Sequence, residues 1–272
     1  MSESPNAKPT GMNSSYCILV SSCDSYADCW LPFFTLLAKY WKPHTYAIYL
    51  NTETQAFAFP DLSIHCPRVG LATSRDLAWG DRLLHCLEAI PYAVVLYLQE
   101  DYFLKGTVDV PTIDRLVNLM VQENISHISL ERELVPGSPS QYQFLSQIGQ
   151  KAHYRISAQA GLWQVSALRS YLRRHETVWE FEWYGTKRAH RKRDSFFYVN
   201  EEYRELYGRK VMPYDPTGVE HGRWVRDRVE QLFATHGIAV DYAARGFHDA
   251  NDDDWNRRSF LTKVHRRLRS LL

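Results

Sequence analysis

From Tyr16 onward, short continuous apolar runs alternate with longer stretches in which apolar positions return every third or fourth residue. The first kind reads as strands covered on both faces, the second as helices with one face against a core. The pattern predicts strands over 16–21, 46–50 and 62–66, a helix over 24–40, and a second helix over 79–90 with Leu83, Leu84, Leu87 and Ile90 on one side. A further strand begins at Val94 and ends on Gln99, Glu100 and Asp101. Strands joined by helical crossovers imply an α/β fold: a mostly parallel central sheet, right-handed in its connections, with helices on its flanks. Farther on, Trp179, Glu180, Phe181 and Glu182 alternate apolar with acidic. That alternation reads as a strand carrying both glutamates on one face.

The ends depart from this pattern. Residues 1–14 are polar with two prolines and are expected to form a disordered leader, since they cannot bury enough surface to become ordered. Residues 15–255 are the main domain. Residues 256–272 form a basic amphipathic helix by pattern, with Phe260, Leu261, Val264, Leu268, Leu271 and Leu272 at helical spacing and Arg or Lys between them. Such a helix suits an anionic membrane surface, or else packs its apolar stripe on the domain or on a second subunit, so an oligomer stays open.

Composition narrows the class. The chain of 272 residues carries a net charge of +1 and 45% hydrophobic residues, enough for a substantial core. Balanced charge and the lack of a recognisable RNA or DNA motif argue against nucleic acid as a partner. Five cysteines without a C-x-x-C pair point to reduced thiols in a cytoplasmic setting and away from a zinc site. No apolar stretch has the length of a membrane span, so any membrane contact is expected to be peripheral, at the inner face. Aromatics make up 14% of the chain, a proportion that suits sugar or nucleotide stacking as well as core packing.

The strand ending at Glu100 and Asp101 holds the sharpest chemical signal. Ligands of open α/β sheets collect beyond the carboxyl ends of strands, and hard carboxylate oxygens there suit Mg²⁺ or Mn²⁺ holding a diphosphate. An ordinary charged turn after a core strand reads the same way. Ser22 and Asp24, at the end of the first strand, offer a nucleotide contact or simply cap the following helix.

These residues carry a resemblance. Ser21 to Asp24, the helix opening Trp79, Gly80, Asp81 and Arg82, and the triplet Gln99, Glu100 and Asp101 resemble the nucleotide-binding half of a GT-A glycosyltransferase, here about 15–130. The family places a D-x-D element after its fourth strand. With Gln99 at the first position, the resemblance makes Asp101 the metal ligand and Glu100 a ribose or supporting contact. It implies a nucleotide-sugar donor, with Arg75 and Arg82 on its phosphates or base and Trp79 beside it. In the acceptor half, about 131–255, Gly161 and Trp163 match the segment beneath the donor sugar. The acidic residue near a Trp that follows would be the base of an inverting transfer, with Glu182 preferred and Glu180 second. A C-terminal histidine, His221 or His248, would complete the metal site. The basic run 186–194 reads as a mobile loop that recruits an anionic acceptor or diphosphate, or simply as a solvated loop. The implied acceptor is a hydroxyl of a cell-surface polysaccharide, such as capsule or lipopolysaccharide, or of a lipid-linked glycan. Two alternatives stay open: a sugar-nucleotide nucleotidyltransferase, although a Gly-rich phosphate loop is missing after the first strand, and a non-catalytic sugar-nucleotide or glycan-binding protein.

Overall fold

The computed structural model describes residues 15–72, 76–131 and 137–248. The leader 1–14, Arg75 and the tail 256–272 lie outside the described residues. The chain order is β1 (Tyr16–Ser21), a 3₁₀ turn (Asp24–Tyr26), α1 (Ala27–Tyr40), β2 (Ala47–Leu50), β3 (Ser63–His65), α2 (Trp79–Glu88), β4 (Val94–Gln99) and α3 (Val110–Gln122). It continues with β5 (His127–Ser129), β6 (Ser138–Pro139), β7 (Leu145–Gln147), β8 (Gly161–Gln164), α4 (Val165–Tyr171), α5 (Val178–Ala189), β9 (Phe196–Val199) and α6 (Glu201–Tyr207). Last come the hairpin β10 (Val219–Glu220) and β11 (Arg223–Trp224), then α7 (Arg226–Thr235) and α8 (Tyr242–Arg245).

One nine-stranded sheet runs β3-β2-β1-β4-β8-β5-β9-β7-β6. The ladders β3-β2-β1-β4 and β5-β9 are parallel. β8 lies antiparallel to both of its neighbours, and β7 likewise. All strands except β8 and β7 therefore point one way, the mostly parallel α/β sheet that the pattern predicts. Because side chains alternate across a strand, β1 and β4 feed two cores. Ile18, Val20, Leu96 and Leu98 meet α1, α3 and α7 on one face. Cys17, Leu19, Val95 and Tyr97 meet α2, α4 and α5 on the other.

The segment read from alternation as a strand over Trp179–Glu182 is the start of helix α5 instead. Thr177 Oγ1 accepts from Glu180 N, and the Glu180 carboxylate accepts from Thr177 N at 2.9 Å, a reciprocal capping box. Phe181, Tyr184, Gly185, Arg188 and Ala189 are buried at helical spacing, which fixes the inward face. The basic run is corrected with it: 186–189 complete α5, and Arg188 is buried in a bidentate pair with Glu176 at 2.6 and 2.7 Å. That arginine holds the α5 face to the turn before it and does not recruit a ligand.

Candidate active site

The carboxyl ends of β1 and β4 open into a cavity of about 570 Å³, within the range of small-molecule sites. Ser21, Ser22 and Cys23 form one wall and Gln99, Glu100 and Asp101 another; Trp79 and Arg82 enter from α2, Trp179 and Glu182 from α5, and 216–222 from the β10–β11 region.

Glu100 and Asp101 are only 8% and 7% exposed. Burial, together with the neighbouring Asp101 charge, pushes Glu100 well above the ordinary carboxylate value, opposed by Arg245 and Arg82. Burial raises Asp101 to about 6, opposed by backbone N–H groups of Val219 and Gly218 and by Arg228. The loop carrying those donors sits very close. Gly218 N donates to Asp101 O at 3.0 Å and Val219 N to Asp101 Oδ2 at 3.2 Å. A Cβ on Gly218 would lie 2.9 Å from Asp101 O and closer still to the Phe103 ring, so only glycine fits.

Gln99, the departure from an acidic triplet, has a structural use. Its Nε2 donates to Ala158 O at 3.1 Å and to Tyr102 Oη at 2.9 Å, and Tyr102 Oη also donates to Ala158 O. Ala158 N in turn donates to Glu182 Oε1 at 2.7 Å, with Ser157 Oγ at 3.3 Å from the same oxygen. A chain of contacts therefore runs from the end of β4 to the Glu182 carboxylate. Burial raises the Glu182 pKa above the usual value, while the two donors oppose the shift. A half-buried, raised carboxylate at a cleft is suited to taking a proton. Glu180 is spent on the capping box and is not among the cavity-lining residues. Positions two apart on a helix point in different directions, so the two glutamates do not share a face.

The remaining expected residues divide. Ser22 lines the cavity, with its Oγ accepting from Trp30 Nε1 at 2.8 Å; Trp79 also lines it, donating from Nε1 to Ser21 Oγ at 3.1 Å. Arg82 lines it while pairing with Glu53 at 3.1 Å. Asp24 faces away: its carboxylate accepts from the backbone N–H groups of Glu53, Thr54 and Gln55 and from Thr54 Oγ1, holding the loop after β2. Burial acts to raise the Asp24 pKa, but these hydrogen bonds outweigh it and the net shift is downward. Gly161 and Trp163 lie in β8 within the sheet. Trp163 stacks on His127 with ring centroids 3.9 Å apart, and a Cβ on Gly161 would come within 2.6 Å of His127 Cε1. The neighbouring Ala158 and Gln159 line the cavity in their place.

His221 does line the cavity, at a two-residue hairpin turn in which it and Gly222 both take positive φ, 50° and 79°. Ligand atoms of Glu220, His221 and His248 lie within 4.8 Å of one another. His248 Nε2 is buried without a hydrogen-bond partner, which fits a set able to accept a divalent cation. Asp101 is outside this group. Sequence reading missed Arg228, Ala158 and Gln159, which come from segments far along the chain that only the fold brings here, and Tyr102, which follows Asp101 directly and also lines the cavity.

No protein-family model matches the sequence, and a search of curated proteins gives no match. Among solved structures, S. aureus TarS 1-349 in complex with UDP-GlcNAc superposes with a TM-score of 0.51 at 11% identity, over 94% of this chain and 79% of that one. A structure of S. aureus TarS superposes with a TM-score of 0.45 at 11% identity, over 70% of this chain and 38% of that one. The chain thus spans well under two thirds of that second protein's length. At this identity the likeness is one of fold. The fold is GT-A-like, as the sequence resemblance implies.

Proposed function

We propose that the protein is a nucleotide-sugar-dependent glycosyltransferase that moves a sugar to an acceptor hydroxyl with inversion, using Glu182 as general base. One observation carries the reading: a raised carboxylate, held by Ala158 and Ser157, shares one cavity with the Glu100 and Asp101 pair at the carboxyl edge of the sheet. Glu182 takes the proton of the acceptor hydroxyl, whose oxygen attacks the anomeric carbon as the bond from that carbon to the diphosphate oxygen breaks. The nucleoside diphosphate leaves with that bond's electron pair. Arg82 and Arg228 line the cavity and bring positive charge to the leaving side. A divalent cation, Mg²⁺ or Mn²⁺, held by His221 with Glu220 and His248 would supply further charge neutralisation there. The acceptor in this reading is a polysaccharide or lipid-linked glycan, reached at a membrane surface through 256–272. No described helix is long and apolar enough to cross a membrane.

The fold shared with a protein crystallised with UDP-GlcNAc makes that compound the first donor to try. Melting curves with UDP-GlcNAc, other sugar nucleotides and free nucleotides, with and without Mn²⁺, test the donor. A ligand at a hundred times its Kd adds about 2.7 kcal/mol of stability, a clear shift. A panel in which no sugar nucleotide raises the melting temperature overturns the reading. Stabilisation without any turnover by the wild-type protein against glycan acceptors leaves a binding protein in its place.

A further inference from the structure

Helix α5 carries more than the proposed base to the cavity. Trp179 and Trp183 are 59% and 52% exposed, an unusual state for so large an apolar side chain, and they stand four residues apart. At 1.5 Å rise per residue their backbone positions are offset by about 6 Å along the helix axis, on one side of it. Trp179 lines the cavity and Trp183, one turn on, does not, so the pair leads outward from the mouth. Glu182 belongs to the same side, three positions from Trp179. Lys187 Nζ lies 4.5 Å from the centroid of the Trp183 ring, a cation–π contact from the next turn of the helix.

We propose that Trp179 and Trp183 form a stacking platform for the acceptor, a chain of pyranose rings entering with its terminal hydroxyl toward Glu182. The apolar faces of sugar rings cover indole faces, and rings spaced by one helical turn suit consecutive sugars of one chain. Continuity with the cavity favours this occupant over a lipid surface, which would be met by an apolar patch outside the cleft. The assignment rests on the transferase reading above and extends it to the acceptor side.

Dissociation constants for chitobiose, chitohexaose, cellobiose and cellohexaose, measured by calorimetry on the full chain, provide the test. Trp179→Ala is expected to weaken disaccharide and hexasaccharide alike by about two- to tenfold, the worth of one aromatic contact. Trp183→Ala is expected to weaken only the hexasaccharides, by a similar factor, and Trp183→Phe to recover most of the loss. Equal affinities in wild type and both alanine variants overturn the platform, as does wild type that binds none of the four sugars at millimolar concentration. A wild-type melting shift with UDP-GlcNAc alongside that failure leaves the donor reading standing; sugar binding without any response to sugar nucleotides does the reverse. Capture of wild type by phosphatidylglycerol vesicles, lost in the double alanine variant and without sugar binding, makes the pair a membrane contact and sinks the proposal.

Discussion

At Glu182 the same environment that positions the carboxylate also sets its pH range. Burial raises its pKa, so the base form is lost earlier on acidification than in an exposed glutamate. The acid limb of kcat/KM is accordingly expected above the ordinary glutamate value. Glu182→Gln keeps the shape and removes the proton acceptor; kcat is expected to fall by about 10²–10⁴-fold with donor-induced stabilisation retained. A variant with near-normal turnover and an unchanged acid limb would move the role elsewhere. Glu100 and Asp101 pose the opposite balance, two buried carboxylates side by side. A folded-state pKa raised to about 6 at Asp101 means its contribution to stability is fully present below the ordinary aspartate value and is lost as pH rises through about 6. Asp101→Asn is therefore expected to raise the melting temperature at neutral pH, by roughly 2–4 °C per kcal/mol of relieved repulsion. A melting temperature lowered by this substitution would show that the ionised pair supports the fold.

On the scale of elements, α5 separates structure from chemistry within one turn. Thr177→Ala removes the cap and is expected to cost about 1 kcal/mol, visible in denaturant unfolding. Glu180→Ala breaks the reciprocal half and is expected to destabilise with kcat unchanged, in contrast to Glu182→Gln. A large kcat loss in Glu180→Ala would refute the division. Thr177 followed by Glu180 has the spacing of a helix start, whereas the alternation of Trp179 to Glu182 reads as a strand, and the structure follows the cap. Legible elements were those with unmixed periodicity: β1 and β4 as continuous apolar runs, and α2 as a stripe of Leu83, Leu84, Leu87 and Ile90, although the helix itself stops at Glu88. The edge of the sheet where Glu100 and Asp101 stand followed from that pattern alone. The loops that complete the cavity did not, because Ala158, Gly218 and Arg228 reach it through packing between distant segments. Gly161 and Trp163 misled for a related reason. A Gly-apolar segment reads alike whether it floors a cavity or, as in β8, lies in the sheet between β4 and β5.

For the molecule as a whole, the arrangement of β8 decides how the two halves unfold. It is a strand of the second half inserted antiparallel between β4 and β5 of the first, so one ladder joins the two halves without a break. Each core also draws on both: α2 packs with Trp163, Phe181 and Phe196 on one face, and α1 and α3 share the other with Tyr203, Trp224 and Phe233. The cavity is built the same way, from Ser21 to Cys23 at one end of the chain order to His221 and Arg228 at the other. Melting either half alone would strip one side of every shared layer, exposing apolar surface at about 25 cal/mol per Å². Calorimetry is therefore expected to give one transition for the described body, with van't Hoff and calorimetric enthalpies equal, and a bound sugar nucleotide is expected to move that whole transition upward. Two resolved transitions, with only one of them responding to the nucleotide, would show that the halves fold separately and that the loops from residue 214 onward dock on a finished nucleotide site.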